Sequence, residues 1–302
     1  MIEEPDELVR TQTFPANEPL DLDIGITIGR VEVELTDPGN DPAESADAVV
    51  RIAHDPGAQE PWQESMAGLL NWVGDQFGSD LNGSPADAVR QAQIDRTGNR
   101  LVVRGPKSLP LRKVPLAVTV TAPAGSTVTV RTGAAGVTVS GSAGRADLTT
   151  GSGDVSVDRA GAGSTVRTGT GSVRIDEAAG GLQVRSGSGA VEAASIAGQA
   201  TVGTGTGGVW LGRVAGDVLV RSGSGDLTIA EAVSGSIELI TGSGAIRIGV
   251  GSGVTAEIDI SSGSGRVSSE LEVSDSPPDG DTVARIRART GMGDAVVTSA
   301  AR

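Results

Sequence analysis

The 302-residue chain has no cysteine, no tyrosine, a single histidine, and aromatic residues at only 2%. Without cysteine there are no disulfides and no thiolate metal sites. His54, with no second histidine, cannot build an ordinary zinc centre; it reads as a solvated loop residue ahead of Asp55-Pro56-Gly57. A rounded core normally draws much of its buried area from aromatic rings. A core of Val, Ile, Leu, Ala and Thr must be thin, which suits sheets lying close together. No stretch approaches the roughly 18 apolar residues of a membrane-spanning helix. The start, MIEEPDELVR, has neither the basic nor the apolar segment of a secretory signal. The expectation is a soluble, cytoplasmic chain with no cofactor.

Basic charge is also scarce, 24 Lys and Arg against 38 Asp and Glu, for a net charge of −14. Residues 1–100 hold 20 acidic and 6 basic side chains and so carry the entire excess. Nucleic-acid binding through a basic face is excluded as a leading reading, and contact with anionic lipid is disfavoured for the same reason.

Glycine is abundant, with 45 residues, and it recurs at fixed places. A [T/S]-G motif begins at Thr132, Thr150, Thr168, Ser186, Thr204 and Ser222, at steps of 18, and again at Thr241, Ser262 and Thr290, at steps of 19, 21 and 28. Each unit holds two short alternating runs, such as Val209 and Leu211, then Val218 and Val220, with glycine between. Alternation over so few residues marks strands, and glycine between runs marks turns. A coil of two short strands has no core of its own. Its aliphatic side chains leave water only against the coils on either side, whose backbones lie about 4.8 Å away. The fold expected is all-β: a parallel β-solenoid of about 18 residues per coil over residues 100–302, after an acidic amino-terminal strand region, 1–99.

The motif hydroxyls form two columns. Thr150, Thr168, Ser186, Thr204 and Ser222 share the parity of inward Val166 and Val184, which predicts bonds along the column or to the turns. An outward array that orders water, as in ice-binding solenoids, is the lesser alternative. Before the repeats, LDLDIGITIG, VEVEL and AVVRIA read as antiparallel or edge strands. Trp62, Met66, Leu69, Leu70, Val73 and Phe77 fall at helical intervals and predict an amphipathic helix over 61–77; a second helical piece covers 85–93. An open solenoid needs caps. The 61–77 helix is the expected cap, or a partner-docking element through Trp72. The carboxyl end, GDAVVTSAAR, shows no cap and is expected to self-associate.

Chemical motifs are weak. GTGTGG at 203–208 spells a dinucleotide fingerprint, but no helix follows. GSGD matches no calcium nonapeptide in period or in Asp placement. The outward column Ser156, Arg174, Glu192, Trp210, Thr228, Arg247 gathers no carboxylates of the kind sugar hydrolysis needs. Arg131, Arg167, Arg185 and Arg221 form a more regular column, which reads as a solvated face or as a grip on an acidic partner or on the chain's own acidic amino-terminal part, and Trp210 is the one aromatic on the repeats.

Arg167–Ile175 and Arg221–Ile229, following GRVEVEL and LVVRG, resemble the bacterial β-strand-repeat family of adhesin-like domains of unknown function. The resemblance implies a parallel β-solenoid and brings no catalytic residues; bactofilin-like scaffolds are a looser analogy. The function expected is therefore non-enzymatic: a structural, scaffold or interaction protein with self-assembly open to it, and a protein or a second copy as the partner. The alternatives are a carbohydrate-active β-helix enzyme and a surface adhesin.

Overall fold

In the repeats, Val, Ile, Leu and Ala take every second position and charged or hydroxyl residues lie between, so each strand has one buried and one wet face. In Val173–Ala178, for example, Val173 and Ile175 are buried while Arg174 and Asp176 are exposed. The computed structural model describes residues 8–37, 47–58, 84–271 and 283–300. The helix expected over 61–77, with Trp72, lies outside them. The chain divides into two units, residues 1–141 with 149–152 and residues 142–148 with 153–302.

In chain order the first unit contains β1 (Val9–Pro15), β2 (Asp21–Thr36), β3 (Asp47–His54), α1 (Pro85–Gln91), β4 (Gln93–Thr97), β5 (Arg100–Arg104), α2 (Leu109–Arg112), β6 (Leu116–Pro123) and nearly all of β7 (Thr127–Ala143). LDLDIGITIG and VEVEL are not two antiparallel strands. They are one strand, β2, which runs parallel to β5 and β6 along one edge and to β7 along the other. Gly29 makes the continuity possible: it adopts φ 126°, and a Cβ there would lie 1.9 Å from the Leu116 carbonyl oxygen. Side chains resist that backbone angle, and glycine does not. Antiparallel pairing enters at β3, which joins β6 to β1, and at β4 with β5. His54 is the last residue of β3, opposite Leu116, rather than a loop residue. Helix α1 falls within the expected 85–93 and buries Ala86, Ala88 and Val89.

The division between the units passes through β8 (Arg145–Ser152). The second unit continues through β9 (Val155–Ala160), β10 (Ser164–Thr170), β11 (Val173–Ala178), β12 (Leu182–Ser186), β13 (Val191–Ile196), β14 (Ala200–Thr204), β15 (Val209–Ala215) and β16 (Val218–Ser222). It ends with β17 (Leu227–Thr241), β18 (Ile246–Val250), β19 (Ala256–Ser262), β20 (Val267–Ser269), β21 (Ala284–Thr290) and β22 (Ala295–Ser299). Pairing here is parallel. Val155, Val173, Val191, Val209 and Leu227 lie opposite one another in turn, as do Val166, Val184, Val202 and Val220. All nine are buried. The core of the second unit is thus a set of aliphatic ladders, all-β and solenoid-like, with no aromatic ring among its described buried residues.

The last coils do not stack in chain order. β21 pairs with β17 on one side and β19 on the other, and β22 lies likewise between β18 and β20. The coil written last is inserted between its two predecessors. The carboxyl-terminal strand β22 is therefore not the outermost one, contrary to the sequence expectation; among the described residues the outermost coil is β19 with β20. Charge gives a reason. Chain order would set Glu238 beside Asp259, whereas the observed order places Arg287 opposite both. Like charges directly opposite on neighbouring strands are destabilising, and opposite charges favourable.

Candidate interaction surfaces

The hydroxyls at the first motif position face inward and hold the turns, whereas Thr170, Ser188, Thr206 and Ser224 at the third position are exposed. Thr168, Ser186, Thr204, Ser222, Thr241 and Thr290 are buried. The amides of Gly207 and Gly225 donate to Thr204 Oγ1 at 3.0 Å and Ser222 Oγ at 2.8 Å. Between coils, Thr241 Oγ1 donates to the Gly225 carbonyl at 2.9 Å and Thr290 Oγ1 to that of Gly244 at 2.8 Å. These groups are spoken for structurally.

The aspartate after the motif also has a structural role that sequence reasoning missed. Asp154 Oδ1 accepts from the Ser172 amide at 2.8 Å, Asp226 Oδ1 from Ala245 and Asp294 Oδ1 from Arg266, each at 2.8 Å. Each one ties its corner to the adjoining coil. The recurrence of Asp directly after Gly-x-Gly was the available signal.

Outward columns carry the charge. Ser156, Arg174, Glu192, Trp210, Thr228 and Arg247 are in register as expected. Arg174 pairs with Glu192 at 2.7 Å, and in a neighbouring column Arg213 pairs with Glu231 at 2.8 Å. Trp210 stands 43% exposed in this column. Arg167, Arg185 and Arg221 differ. Arg167 lies opposite Arg185, and Gly203 separates Arg185 from Arg221. All three are exposed. Among the described residues none of the three has a carboxylate within salt-bridge reach. At strand spacing the guanidinium stems sit about 5 and 10 Å apart, and the glycines two residues further on, Gly169, Gly187, Gly205 and Gly223, leave the adjoining surface without side chains.

Arg131 has another setting, in the first unit. There Asp23, buried in β2, accepts from Arg100 at 2.7 Å, from Arg104 at 2.6 Å and from Arg131 at 3.3 Å. Burial alone would raise the Asp23 pKa. The hydrogen bonds and positive charge of Arg104 and Arg100 outweigh it, and the net direction is downward. Arg104 and Arg131 line an open cleft of about 380 Å³ together with Lys107 and Arg112.

The third surface is the open coil. Ile258 and Ile260 of β19 are half-buried and Val267 of β20 is 50% exposed, whereas their partners Ile286, Ala288 and Ala295 are wholly buried. Among the described residues no strand pairs with the outer edge of β19 or β20.

The model of the Toastrack DUF4097 family matches residues 117–297. No curated protein matches the chain. Solved structures similar to it include a putative adhesin from Bacteroides fragilis, at 14% identity and TM-score 0.43, covering 96% of each chain. Another, a putative adhesin from Parabacteroides merdae, has 10% identity and TM-score 0.38 over 95% of each chain. A structure described as a putative lipid binding protein, from Parabacteroides distasonis, has 11% identity and TM-score 0.28, over 95% of this chain and 96% of that one.

Proposed function

The chain belongs to the Toastrack DUF4097 family, and from that premise we propose that it is a non-enzymatic interaction protein which grips an acidic partner on a solenoid scaffold of 18-residue coils. The observation that carries this reading is the trio Arg167, Arg185 and Arg221. Most outward arginines of the second unit meet a carboxylate. These three stand in a row without one, in a protein whose net charge is −14. Keeping like charges about 5 Å apart is unfavourable, and an extended polyanion would relieve it. The non-enzymatic part is supported by the ion-paired outward columns, where Arg174 meets Glu192 and Arg213 meets Glu231.

The test is retention of the full chain on immobilised poly-L-glutamate and on alginate at low salt, with neutral dextran as control. Arg167→Glu, Arg185→Glu and Arg221→Glu together should abolish retention without changing the circular dichroism spectrum. Equal retention of wild type and variant, or none by the wild type, discards the reading. A second form, self-assembly, has the half-exposed Ile258 and Ile260 in its favour and the acids Glu257 and Asp259 against it. Light scattering decides it, and a strict monomer at high concentration rules it out. Action in the cytoplasm is part of the proposal and is tested by cell fractionation.

A further inference from the structure

The inserted coil leaves a specific charge pattern at the open edge. Reading outward from β17 through β21 to β19, Glu238, Arg287 and Asp259 lie opposite one another in turn, as do Ser236, Arg285 and Glu257. Arg285 pairs with Glu257 at 2.9 Å and Arg287 with Asp259 at 3.5 Å. The inward positions of the same ladders are Ile237, Ile286, Ile258 and Leu239, Ala288, Ile260. Among the described residues the stack therefore stops on an acidic strand whose aliphatic face is half open and whose outer edge carries no paired strand.

An edge strand of this kind is a template for strand addition. A second copy of β19 would be a poor occupant, because its acids would face Glu257 and Asp259, and like charges directly opposite are destabilising. The residues next in the chain, 272–282, contain four acids and no base, so their charge does not complement this edge either. Continuing the alternation requires a basic strand. We infer that the outer edge of β19 is a strand-addition site for an extended segment of a partner protein that alternates aliphatic and basic residues, with the aliphatic side chains over Ile258 and Ile260 and the basic ones over Glu257 and Asp259. β21, with Ile286 and Ala288 between Arg285, Arg287 and Arg289, is the pattern such a segment would copy. The inference deepens the interaction reading but uses a different surface and the opposite partner charge.

The probe is a fluorescein-labelled synthetic peptide of residues 284–299, ARIRARTGMGDAVVTS, titrated with the full chain and followed by anisotropy. Saturable binding is expected. It should be at least about tenfold weaker for a peptide carrying Arg285→Glu and Arg287→Glu, and for a protein carrying Glu257→Gln and Asp259→Asn, a pair of substitutions that keeps side-chain shape while removing charge. The difference should shrink as salt rises. Hydrogen exchange should show new protection over 256–262 with none lost over 284–290. Absence of saturable binding overturns the inference, as does equal binding by a scrambled peptide. Unchanged binding to the neutralised protein overturns it too, as does loss of protection over 284–290, which would mean exchange with the resident strand. The Arg167, Arg185 and Arg221 variant should bind the peptide like wild type, so the two readings fail separately.

Discussion

Gly203 and Gly205, separated by a single residue, should respond in opposite ways to alanine. A Cβ on Gly203 would meet nothing within 4 Å, whereas one on Gly205 would lie 2.5 Å from the Gly187 carbonyl oxygen. Ordinary contact begins at 3.4 Å, so the two coils would have to part there by roughly 0.9 Å. Overpacking of this kind costs about 1–3 kcal/mol. Opening the gap also weakens the bond from the Gly205 amide to the Gly187 carbonyl, now 3.0 Å, and a backbone hydrogen bond contributes about 0.5–1.5 kcal/mol. Gly205→Ala should therefore destabilise by about 2–4 kcal/mol. Gly203→Ala should stabilise by about 0.4–1 kcal/mol, by restricting the unfolded chain where the native angles allow a Cβ. Urea denaturation followed by far-ultraviolet circular dichroism reads both. At a slope of about 3 kcal/mol per molar the midpoints should differ by about 1 M. If the two variants fall within about 0.5 kcal/mol of each other, the range of a surface substitution, the carbonyl of one coil does not sit under the glycine of the next, and the reasoning fails.

Three other substitutions probe the repeats and the buried acid Asp23. Asp23→Asn should cost about 2 kcal/mol near neutral pH, below the range for breaking a fully buried ion pair because Arg100, Arg104 and Arg131 keep contact with water. Asp23 has its folded pKa lowered from an ordinary 3.8; its contribution is complete above that value and is lost as pH falls through the folded one. The stability gap between wild type and variant, measured by urea titration, should thus hold from about pH 7 to 5 and close in stronger acid; a gap that widens with acid contradicts the assignment. Leu211, fully buried, should cost about 2–5 kcal/mol as Leu211→Ala. Trp210→Ala, its outward neighbour, should change stability by no more than about 0.5 kcal/mol, and thermal melts of the pair check the facing of β15.

The repeat was legible because its signal is local. Each corner needs glycine and each buried hydroxyl sits beside it, so the motif returns wherever a coil closes, and Val155 over Val173 follows from spacing alone. Stacking order was not legible by the same means. Which coil lies on which is decided by contacts between distant strands, here by Arg287 opposite Glu238 and Asp259. The step of 28 residues before Thr290, against 18 in the regular run, was the trace left in the sequence of a connection long enough to pass a coil. In the amino-terminal region the alternation of β2 was readable but its direction was not, since period-two patterning is the same in parallel and antiparallel strands. Gly29, at the end of the stretch LDLDIGITIG, lies inside one continuous strand. Among the candidate residues, the exposure of Arg167, Arg185 and Arg221 could be read from parity. That Arg131 could meet the acidic amino-terminal region was legible from charge, but Asp23 as its partner was not, because that contact depends on β2 lying beside β7, more than 100 residues away in the chain.

The absence of cysteine permits a direct test of coil order. Paired cysteines on directly opposite residues of adjacent strands lie within disulfide reach, while residues two strands apart, near about 10 Å, do not. Under mild oxidation, Glu238→Cys with Arg287→Cys should crosslink, and so should Arg287→Cys with Asp259→Cys, as read by mass spectrometry. Glu238→Cys with Asp259→Cys should not. Efficient crosslinking of that third pair, with loss of the first, would mean the coils stack in chain order and would contradict the account.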